Sequence, residues 1–508
     1  MRYSYEMNTN KDTNKTNAAQ PLRLLLSCFL GIAMAMGVLT ACQDNESFTT
    51  STTNLLTFST DTVKLDTTFS TVPTATKTFW VYNRSGAGIR CRNVRLEQGN
   101  QTGYRVNVDG QYLGATEGFQ TNDVELREGD SIRVFVELTS PVNSQDKPQL
   151  VSDNLIFTLE SNVQQKVNLR AFSWDADLID NMTVSSDYTI DSSRPIIVRG
   201  GITVEEGATL TINAGNTLYF HNDAGINVHG TLVTQGTTEE NVVLRGDRID
   251  HMFDYLPYDR VSGQWQGVHF YKSSYNNRLD NTDIHSTFNG VVCDSSLCDK
   301  PKLTMTNSTI HNCQGYGLLA QHSVVDMLNT QVSNTLKDCV AIYGGVVRMR
   351  HCTVAQFYPF DGARGMALRF SNKLNGYDYK LYECDITNTI VTGYADDVIS
   401  GELDKDVAAS YLFTNCLLRT PSDTGNAECF KDVIFEDVKD TESSGDKNFA
   451  LIDTDNLIYD FRLSDKSKAI DTATKLADSD CEYDRLGVAR GEKPDIGAYE
   501  YVAPPEEE

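Results

Sequence analysis

Pairs of apolar residues recur along the chain at intervals of eight residues from position 202 onward. The pairs are Ile202 and Val204, Leu210 and Ile212, Leu218 and Phe220, and Ile226 and Val228. Alternate residues of a strand face one side, so each pair predicts a short strand that is followed by a turn. Three strands make a period of 24 residues, which places Ile226 over Ile202 and Leu244 over Phe220. This period predicts a parallel β-helix with three faces per turn.

The period also favours one hand of the coil. A left-handed hexapeptide coil uses about 18 residues per turn, and parallel crossovers are overwhelmingly right-handed. The sequence therefore predicts a right-handed β-helix.

Later coils repeat a large apolar residue, a small residue three positions on, and an aliphatic residue two positions after that. The small-residue column is predicted to contain Thr282, Ser308, Thr330, Cys352, Cys384 and Cys416, at steps of 26, 22, 22, 32 and 32 residues. Neighbouring strands lie about 4.8 Å apart, so equivalent residues of successive coils stack. At about 1.5–3 kcal/mol per buried aliphatic side chain, such stacks can hold a coil together.

The residues before the repeat alternate differently. About seven short alternating segments, separated by turn residues, occur between residues 55 and 175. We therefore predict an all-β chain, with an N-terminal Ig-like β-sandwich at 55–175 and a right-handed parallel β-helix at 195–420. Residues 421–501 are expected to form a C-terminal coil and cap, and residues 42–54 a tether.

The N-terminus has the features of an export signal. Residues 24–41 are uncharged and mostly apolar, Arg23 precedes them, and Leu39-Thr40-Ala41-Cys42 ends them. We predict a lipoprotein signal peptide at 1–41 and lipidation of Cys42, with a transmembrane anchor as the alternative. Lipidation implies an outer-membrane protein, either on the cell surface or on the periplasmic face.

The amino-acid composition disfavours some classes of binding partner. The chain has 69 acidic and 44 basic residues and a formal charge of −25, which disfavours nucleic acids and polyanionic glycans. A hydrophobic content of 40% excludes a disordered chain.

Three segments resemble a known family: residues 202–244, Trp265-Gln266-Gly267-Val268-His269-Phe270, and residues 493–500. They are similar to right-handed parallel β-helix proteins of the pectate-lyase-like superfamily, and more narrowly to surface lipoproteins of that class in Bacteroidetes. The resemblance implies the fold over about residues 195–501. It also implies polysaccharide lyase or glycoside hydrolase chemistry as one possible activity.

Insertions interrupt the repeat, and long loops on a rigid scaffold are where binding residues concentrate. Their aromatic and basic side chains could stack on sugar rings or bind sugar hydroxyls, although the aromatic residues could instead pack within their own loops. The predicted ligand-binding residues are Tyr255, Tyr258, Arg260, Phe357, Tyr358, Tyr377, Tyr379 and Tyr394.

The evidence for catalysis is weaker. Asn281-Thr282-Asp283 resembles part of the polygalacturonase pattern, but the Asp396-Asp397 pair follows 113 residues later. At about 4.8 Å per coil, that spacing exceeds the roughly 5–9.5 Å between the carboxylates of glycosidases. A lyase reading would use Asp396 and Asp397 for Ca²⁺, with Arg364 or Arg369 as the base. His221, His229 and His269 are expected to be face or turn residues.

The cysteines allow two interpretations. Those in the small-residue column are either interior fillers or disulfides between coils. Cys293 and Cys298, which flank a short loop, are the stronger disulfide candidates in an oxidising compartment. The chain has no Cys-x-x-Cys pair, which disfavours a zinc site.

These observations favour a lipid-anchored surface protein that binds a glycan or a surface partner and has no recognisable catalytic set. The alternative is a polysaccharide lyase or glycoside hydrolase, with Ca²⁺ as the possible cofactor. A purely architectural role is the third possibility.

Overall fold

A computed structural model describes residues 47–503 of the 508-residue chain, apart from residues 146, 254 and 423. This part of the chain contains strands and short 3₁₀ turns, and no α-helix. None of its helical segments has the length and hydropathy to cross a bilayer. The signal peptide and Cys42 lie outside the described residues. The 3₁₀ turns are Ala115–Glu117, Tyr258–Arg260, Thr424–Cys429, Gly445–Asn448 and Ser479–Cys481.

The N-terminal domain is a two-sheet sandwich, as predicted, but it has more strands than the sequence indicated. One sheet has the order β1-β4-β9-β6-β7, and the other has β2-β11-β10-β5-β8 with β3 beside β11. The core between the two sheets consists of alternate strand residues, such as Val81 and Phe157, which are buried there. The strands are β1 Leu56–Phe58, β2 Thr62–Lys64, β3 Thr68–Phe69, β4 Lys77–Asn83, β5 Ile89–Leu96, β6 Tyr104–Val108, β7 Gln111–Tyr112, β8 Gln120–Leu126, β9 Ser131–Leu138, β10 Gln149–Leu159 and β11 Gln164–Trp174.

The coil begins at residue 177, eighteen residues before the start that we predicted from the repeat. Its first strands are β12 Asp177–Ile179, β13 Met182–Val184, β14 Tyr188–Ile190, β15 Ile196–Val198, β16 Ile202–Val204, β17 Thr209–Asn213, β18 Thr217–Phe220, β19 Ile226–Val228, β20 Thr231–Gln235 and β21 Val242–Gly246. The middle strands are β22 His251–Phe253, β23 Leu256–Pro257, β24 Val268–Phe270, β25 Asn277–Asp280, β26 Thr282–His285, β27 Val291–Cys293, β28 Leu303–Thr306, β29 Thr309–Cys313, β30 Leu318–Leu328, β31 Gln331–Thr335, β32 Val340–Arg350 and β33 Thr353–Gln356.

The last strands are β34 Leu368–Ser371, β35 Lys373–Leu374, β36 Tyr377–Asp378, β37 Leu381–Thr387, β38 Ile390–Gly393, β39 Ile399–Glu402, β40 Leu412–Thr414, β41 Leu417–Leu418, β42 Phe430–Lys431, β43 Ile434–Phe435, β44 Phe449–Asp453 and β45 Ile458–Leu463. The pairs β22–β23, β35–β36 and β44–β45 are antiparallel hairpins outside the parallel sheets of the coil.

Three columns of parallel strands confirm the predicted β-helix. Face A is the 11-stranded sheet β12-β15-β18-β21-β26-β29-β31-β33-β38-β41-β43, and the other two columns share a 17-stranded sheet. Ile202 pairs with Ile226 in parallel register, as the period of 24 predicts. The predicted pairing of Phe220 with Leu244 is wrong, because Leu218 pairs with Leu244 and Phe220 with Gly246.

The predicted stacking of Cys384 over Cys352 is also wrong. Cys384 pairs with Val347, whereas Met349 pairs with Ile386 and Val354 with Val391. Thr389 therefore follows Cys352 in the column, and its Oγ1 accepts a hydrogen bond from the Cys352 amide at 3.3 Å. The loops after residue 356 add residues to this coil, so the steps are 37 and 27 residues instead of 32 and 32.

A left-handed turn residue marks the correct register. The residue before each small residue has φ between 43° and 51° in six successive coils. Asparagine tolerates this conformation better than most residues, because its short side chain can hydrogen-bond locally. The turn residues are Asn281, Asn307, Asn329, His351, Asn388 and Asn415.

The C-terminal segment, which we expected to cap the last coil, packs instead along the outer surface of face A. Phe449, Phe461 and Tyr499 form a buried cluster with Ala355 and other residues of face A. The Tyr499 hydroxyl and the Ala498 amide donate hydrogen bonds to Gln331 Oε1 at 2.5 Å and Thr353 Oγ1 at 3.0 Å. The C-terminal segment thus covers face A from β33 onward and contacts Gln331 of β31, which leaves β29 and the rest of β31 facing a groove.

His351 makes this packing sensitive to acid. Burial, together with the nearby charge of Arg490, lowers the pKa of His351 to about 3, and its Nε2 accepts a hydrogen bond from Asn388 at 2.9 Å. In the unfolded chain histidine protonates near pH 6.5, so the stabilisation by neutral His351 is lost as the pH falls from about 6.5 toward 3. The loss is at most about 1.4 kcal/mol per pH unit.

We therefore expect His351→Gln to flatten the fall in the thermal midpoint between pH 6.5 and pH 4.5. The exposed His221, replaced by Gln in the same way, is the control and should leave the fall unchanged. Equal acid sensitivity of wild type and His351→Gln would contradict this prediction.

Candidate functional site

The loop at 246–262 contributes three predicted binding residues, and they have different surroundings. Tyr255 is 56% exposed and stacks on Phe253. The guanidinium of Arg248 lies 3.8 Å from the ring centroid of Tyr258. Arg260 Nη1 donates a hydrogen bond to the Asn456 carbonyl at 2.8 Å, which joins this loop to the β44–β45 hairpin.

The loop at 356–364 is mostly structural. The prediction that Phe357 contacts a ligand is wrong, because its side chain is fully buried against Phe449 and Phe461. Tyr358 is also buried, and its hydroxyl lies 2.9 Å from Ser262 Oγ, so its ring cannot stack on a sugar.

Tyr377 and Tyr379 lie apart from the other predicted binding residues. Tyr377 is 71% exposed on the β35–β36 hairpin, and the ring of Tyr379 lies 5.6 Å from that of His322. His322 belongs to β30, which is not a strand of face A. The insertions therefore do not all converge on one groove.

The weak catalytic candidates are divided between two places. Arg364, Tyr394 and Asp397 line a cavity of about 280 Å³, with the Arg364 guanidinium 4.7 Å from the ring centroid of Tyr394. Asp396 lies 3.6 Å from Arg419. Arg369 is ion-paired with Asp338 at 2.7 Å and with Glu402, so it is not placed as a free base.

The predicted disulfide between Cys293 and Cys298 is wrong, because both are free thiols in the structure. Cys293 points into the coil, fully buried, in register with Phe270 and Ala320. Cys298 lies on the loop, with its sulfur 3.8 Å from His322 Nδ1. The side chain of Cys293 lies inside the coil and that of Cys298 lies on the loop outside it, so the two sulfur atoms do not meet.

Free thiols give a direct chemical prediction. Among the described cysteines only Cys298 and Cys429 are partly exposed. We expect iodoacetamide to modify these two in the native protein and the other eight only after unfolding, with no reductant required. Peptide mapping by mass spectrometry checks this result, and an unlabelled Cys293–Cys298 peptide pair that appears only without reductant would contradict it.

The open middle of face A forms a groove of about 310 Å³. Its floor consists of outward residues of β29 and β31, including Thr309, His311 and Ser333. Asp259 and Arg260 of the 246–262 loop form one wall, and the β44–β45 hairpin forms another. The groove-facing residues of the hairpin are Leu457, Ile458, Tyr459 and Phe461.

A chain of alternating charges occupies one end of this groove. His285 Nε2 lies 2.8 Å from Asp259 Oδ1, and His285 Nδ1 lies 3.1 Å from Asp283 Oδ1. Asp283 Oδ1 also lies 3.2 Å from His311 Nε2. Arg245 ends this chain of charges on the side away from His311, with its Nη1 2.7 Å from Asp259 Oδ1. We call these five residues the His–Asp cluster.

The β-helix positions the cluster. Asp283 and His285 are two residues apart on β26, so both face outward, and the register pairs His285 with His311 on β29. Their imidazole rings stack with centroids 4.7 Å apart. Beneath them, Trp265 Nε1 donates a hydrogen bond to the His285 carbonyl at 2.8 Å.

The cluster is strongly ion-paired. Burial by itself would lower the pKa of His285, but the charges of Asp283 and Asp259 raise it to about 9. Burial would raise the pKa of both carboxyl groups, yet the neighbouring histidines and, for Asp259, Arg245 hold them well below their usual range. At neutral pH, therefore, His285 is an imidazolium between two carboxylates, and neither carboxylate is a proton donor.

Sequence reasoning missed His285 and His311. The signal was present, since Ile284-His285 and Ile310-His311 recur with the same step of 26 as the repeat. A residue that follows an inward isoleucine on a strand faces outward. Because equivalent residues of successive coils lie side by side, the two histidine rings are expected to stack. The contribution of Asp259 had no such signal, because its loop returns to the sheet from outside the repeat.

No curated protein matches the sequence of this chain. The similar solved structures include the ASH/PapD-like domain 7 of human CEP192, with 9% identity over 27% of this chain and 96% of that chain, and a TM-score of 0.17. A family 123 glycoside hydrolase from Clostridium perfringens has 7% identity over 24% of this chain and 26% of that chain, with a TM-score of 0.17. Pectate lyase Pel9A has 14% identity over 65% of this chain and 88% of that chain, with a TM-score of 0.29.

These structural scores are low and give no information about activity. The family model described as "Right handed beta helix region" matches residues 175–356. The match begins where the sandwich ends, includes the His–Asp cluster residues, and agrees with the parallel coil and its predicted hand.

Proposed function

We propose that the groove on face A binds a neutral oligosaccharide and that the chain is a lipid-anchored surface protein. The observation that carries the binding proposal is the groove itself, whose volume of about 310 Å³ is in the range of small-molecule sites. A polar floor and one aromatic wall are suited to a sugar, which has hydroxyl groups around its ring and apolar faces.

Two floor atoms support this proposal. Thr309 Oγ1 and Asn334 Oδ1 are buried and have no hydrogen-bond partner among the described residues. An unpaired buried polar atom costs about 1–3 kcal/mol. A ligand hydroxyl could pair with either atom after a small side-chain rotation, which would recover part of this cost.

The charges of the groove and of the whole chain distinguish neutral glycans from acidic glycans as ligands. In the His–Asp cluster His285 is flanked by Asp259 and Asp283, and Arg245 pairs with Asp259, so carboxylates offset the positive charge of the cluster. Arg260, which also lines the groove, donates a hydrogen bond to the Asn456 carbonyl. The formal charge of −25 on the whole chain also repels polyanions at long range. These two facts favour neutral glycans over uronates.

An array of neutral and acidic oligosaccharides tests the proposal. We expect the full chain to bind one or more neutral glycans, and Tyr459→Ala to weaken that binding about 5- to 30-fold, the equivalent of about 1–2 kcal/mol. Tyr377→Ala is the matched control, because Tyr377 is an exposed tyrosine on a different hairpin. A blank array, or equal losses in the two variants, would rule out this groove as the binding site.

Glycoside hydrolysis is the second candidate, because two carboxylates, Asp259 and Asp283, lie at one end of the groove. It ranks lower because the pKa of both is held low, whereas a glycosidase needs one protonated carboxylic acid. Release of reducing ends from an array-positive glycan, abolished by Asp259→Asn, would reverse this ranking.

A further inference from the structure

We propose that Asp283, His285 and His311 bind one divalent transition-metal ion of the zinc class, whether or not the groove binds a glycan. Asp283 Oδ1 lies 3.1 Å from His285 Nδ1 and 3.2 Å from His311 Nε2. The three atoms lie within 4.8 Å of one another, which is close enough for a single ion to contact all of them. The ion would displace the protons that form the hydrogen bonds between Asp283 Oδ1 and the two imidazole nitrogens.

The ligand types determine the metal. Two imidazole nitrogens and one carboxylate oxygen suit zinc, cobalt or nickel, whereas calcium takes six to eight oxygen ligands. The calcium that the resemblance allowed is therefore a poor match for this cluster. The absence of Cys-x-x-Cys pairs does not bear on the site, because its ligands come from two strands of face A.

A second observation points the same way. Histidine ligands of metals usually donate their other ring N–H to a carboxylate, which fixes the tautomer and the ring orientation. His285 Nε2 has this partner in Asp259 at 2.8 Å, and Asp259 is itself held by Arg245 at 2.7 Å. This arrangement leaves His285 Nδ1 to act as the ligand atom.

The site also has an accessible side. His311 and Asp259 both line the groove, so the ion could be reached from solvent and could hold a water molecule or a ligand atom. Three protein ligands with one further position is the arrangement of catalytic rather than structural zinc sites.

Other histidine–carboxylate pairs of the described chain lack these features. His269 lies 2.9 Å from Asp294, and His221 lies 2.7 Å from Asp247. Neither pair belongs to a group of three or more potential ligands among the described residues. His269→Gln is therefore a matched control for the loss of one histidine.

The test uses the full chain without an affinity tag, treated with chelator, dialysed, and titrated with ZnCl₂ by calorimetry. We expect one ion per chain, binding at least 100-fold weaker in His311→Gln, and binding about 10- to 100-fold weaker in Asp259→Asn. His269→Gln should bind as wild type does. No zinc binding by wild type, or equal binding by wild type and His311→Gln, would overturn the proposal.

A second measurement covers a His311→Gln variant that does not fold. The X-ray absorption spectrum of the zinc-loaded wild type reports the atoms around the ion. Two imidazole ligands and oxygen would support the proposal. Sulfur ligands, or oxygen alone, would place the zinc elsewhere and overturn it.

Discussion

Trp265→Ala is expected to destabilise the middle coils by about 3–5 kcal/mol and to disturb the His–Asp cluster. Trp265 is fully buried, its ring stacks on Phe220 with centroids 4.2 Å apart, and its Nε1 holds the His285 carbonyl. Alanine would leave a large cavity inside a narrow coil whose sheets cannot close around it. The loss of the indole would also free the backbone that orients His285.

Hydrogen exchange of peptides from β26 and β29 measures this effect locally, which matters because a multidomain chain need not unfold in one step. We expect exchange in these peptides to be roughly 10²- to 10⁴-fold faster, with peptides of β10 unchanged. Trp80→Ala is the control, since Trp80 is 40% exposed on the sandwich. Unchanged protection of β26 in Trp265→Ala would contradict the packing described here.

Cys42→Ser is expected to move the chain from the membrane fraction to the soluble fraction. Each buried CH₂ of an acyl chain contributes about 0.8 kcal/mol, so two or three chains on Cys42 give stable anchoring that serine cannot provide. Cys42 lies outside the described residues, so this prediction depends on the apolar run and the Leu39-Thr40-Ala41-Cys42 sequence that ends it. The measurement is fractionation of cells that express the full chain, combined with radiolabelled palmitate.

Cys28→Ser is the matched control, because Cys28 lies inside the apolar run and should be removed with the signal peptide. Cys28→Ser should remain labelled and membrane-bound. If Cys42→Ser also remains in the membrane fraction, the apolar run acts as a transmembrane anchor and the lipidation proposal fails.

The coil could be predicted because its physical cause is periodic. Inward residues such as Ile202 and Ile226 must stack on one another, and this requirement repeats in the sequence at the spacing of the coil. The predicted register was wrong at two places. Leu244 pairs with Leu218 instead of Phe220. At Cys384, inserted loops lengthened one coil, and the six-residue pattern occurred by chance at the wrong place. The left-handed turn residue Asn388 is the feature that would have corrected it.

The candidate site was harder to predict because some of its residues lie on the repeating strands and others lie on a loop outside the repeat. His285 and His311 follow from the repeat, whereas Asp259 comes from a loop whose path depends on long-range contacts. Phe357 shows the converse error: an aromatic residue in an insertion suggested a ligand contact, but the C-terminal segment covers it. That packing brings together residues far apart in sequence and leaves no local pattern.

A crystal structure of the chain with an array-positive neutral oligosaccharide would show directly whether the groove on face A binds sugar. We predict electron density for the sugar in the groove on face A, between Arg260 and Tyr459 and within hydrogen-bond distance of Thr309 or Asn334. Sugar bound only elsewhere, for example beside Tyr377 or on the exposed Trp80 of the sandwich, would contradict it.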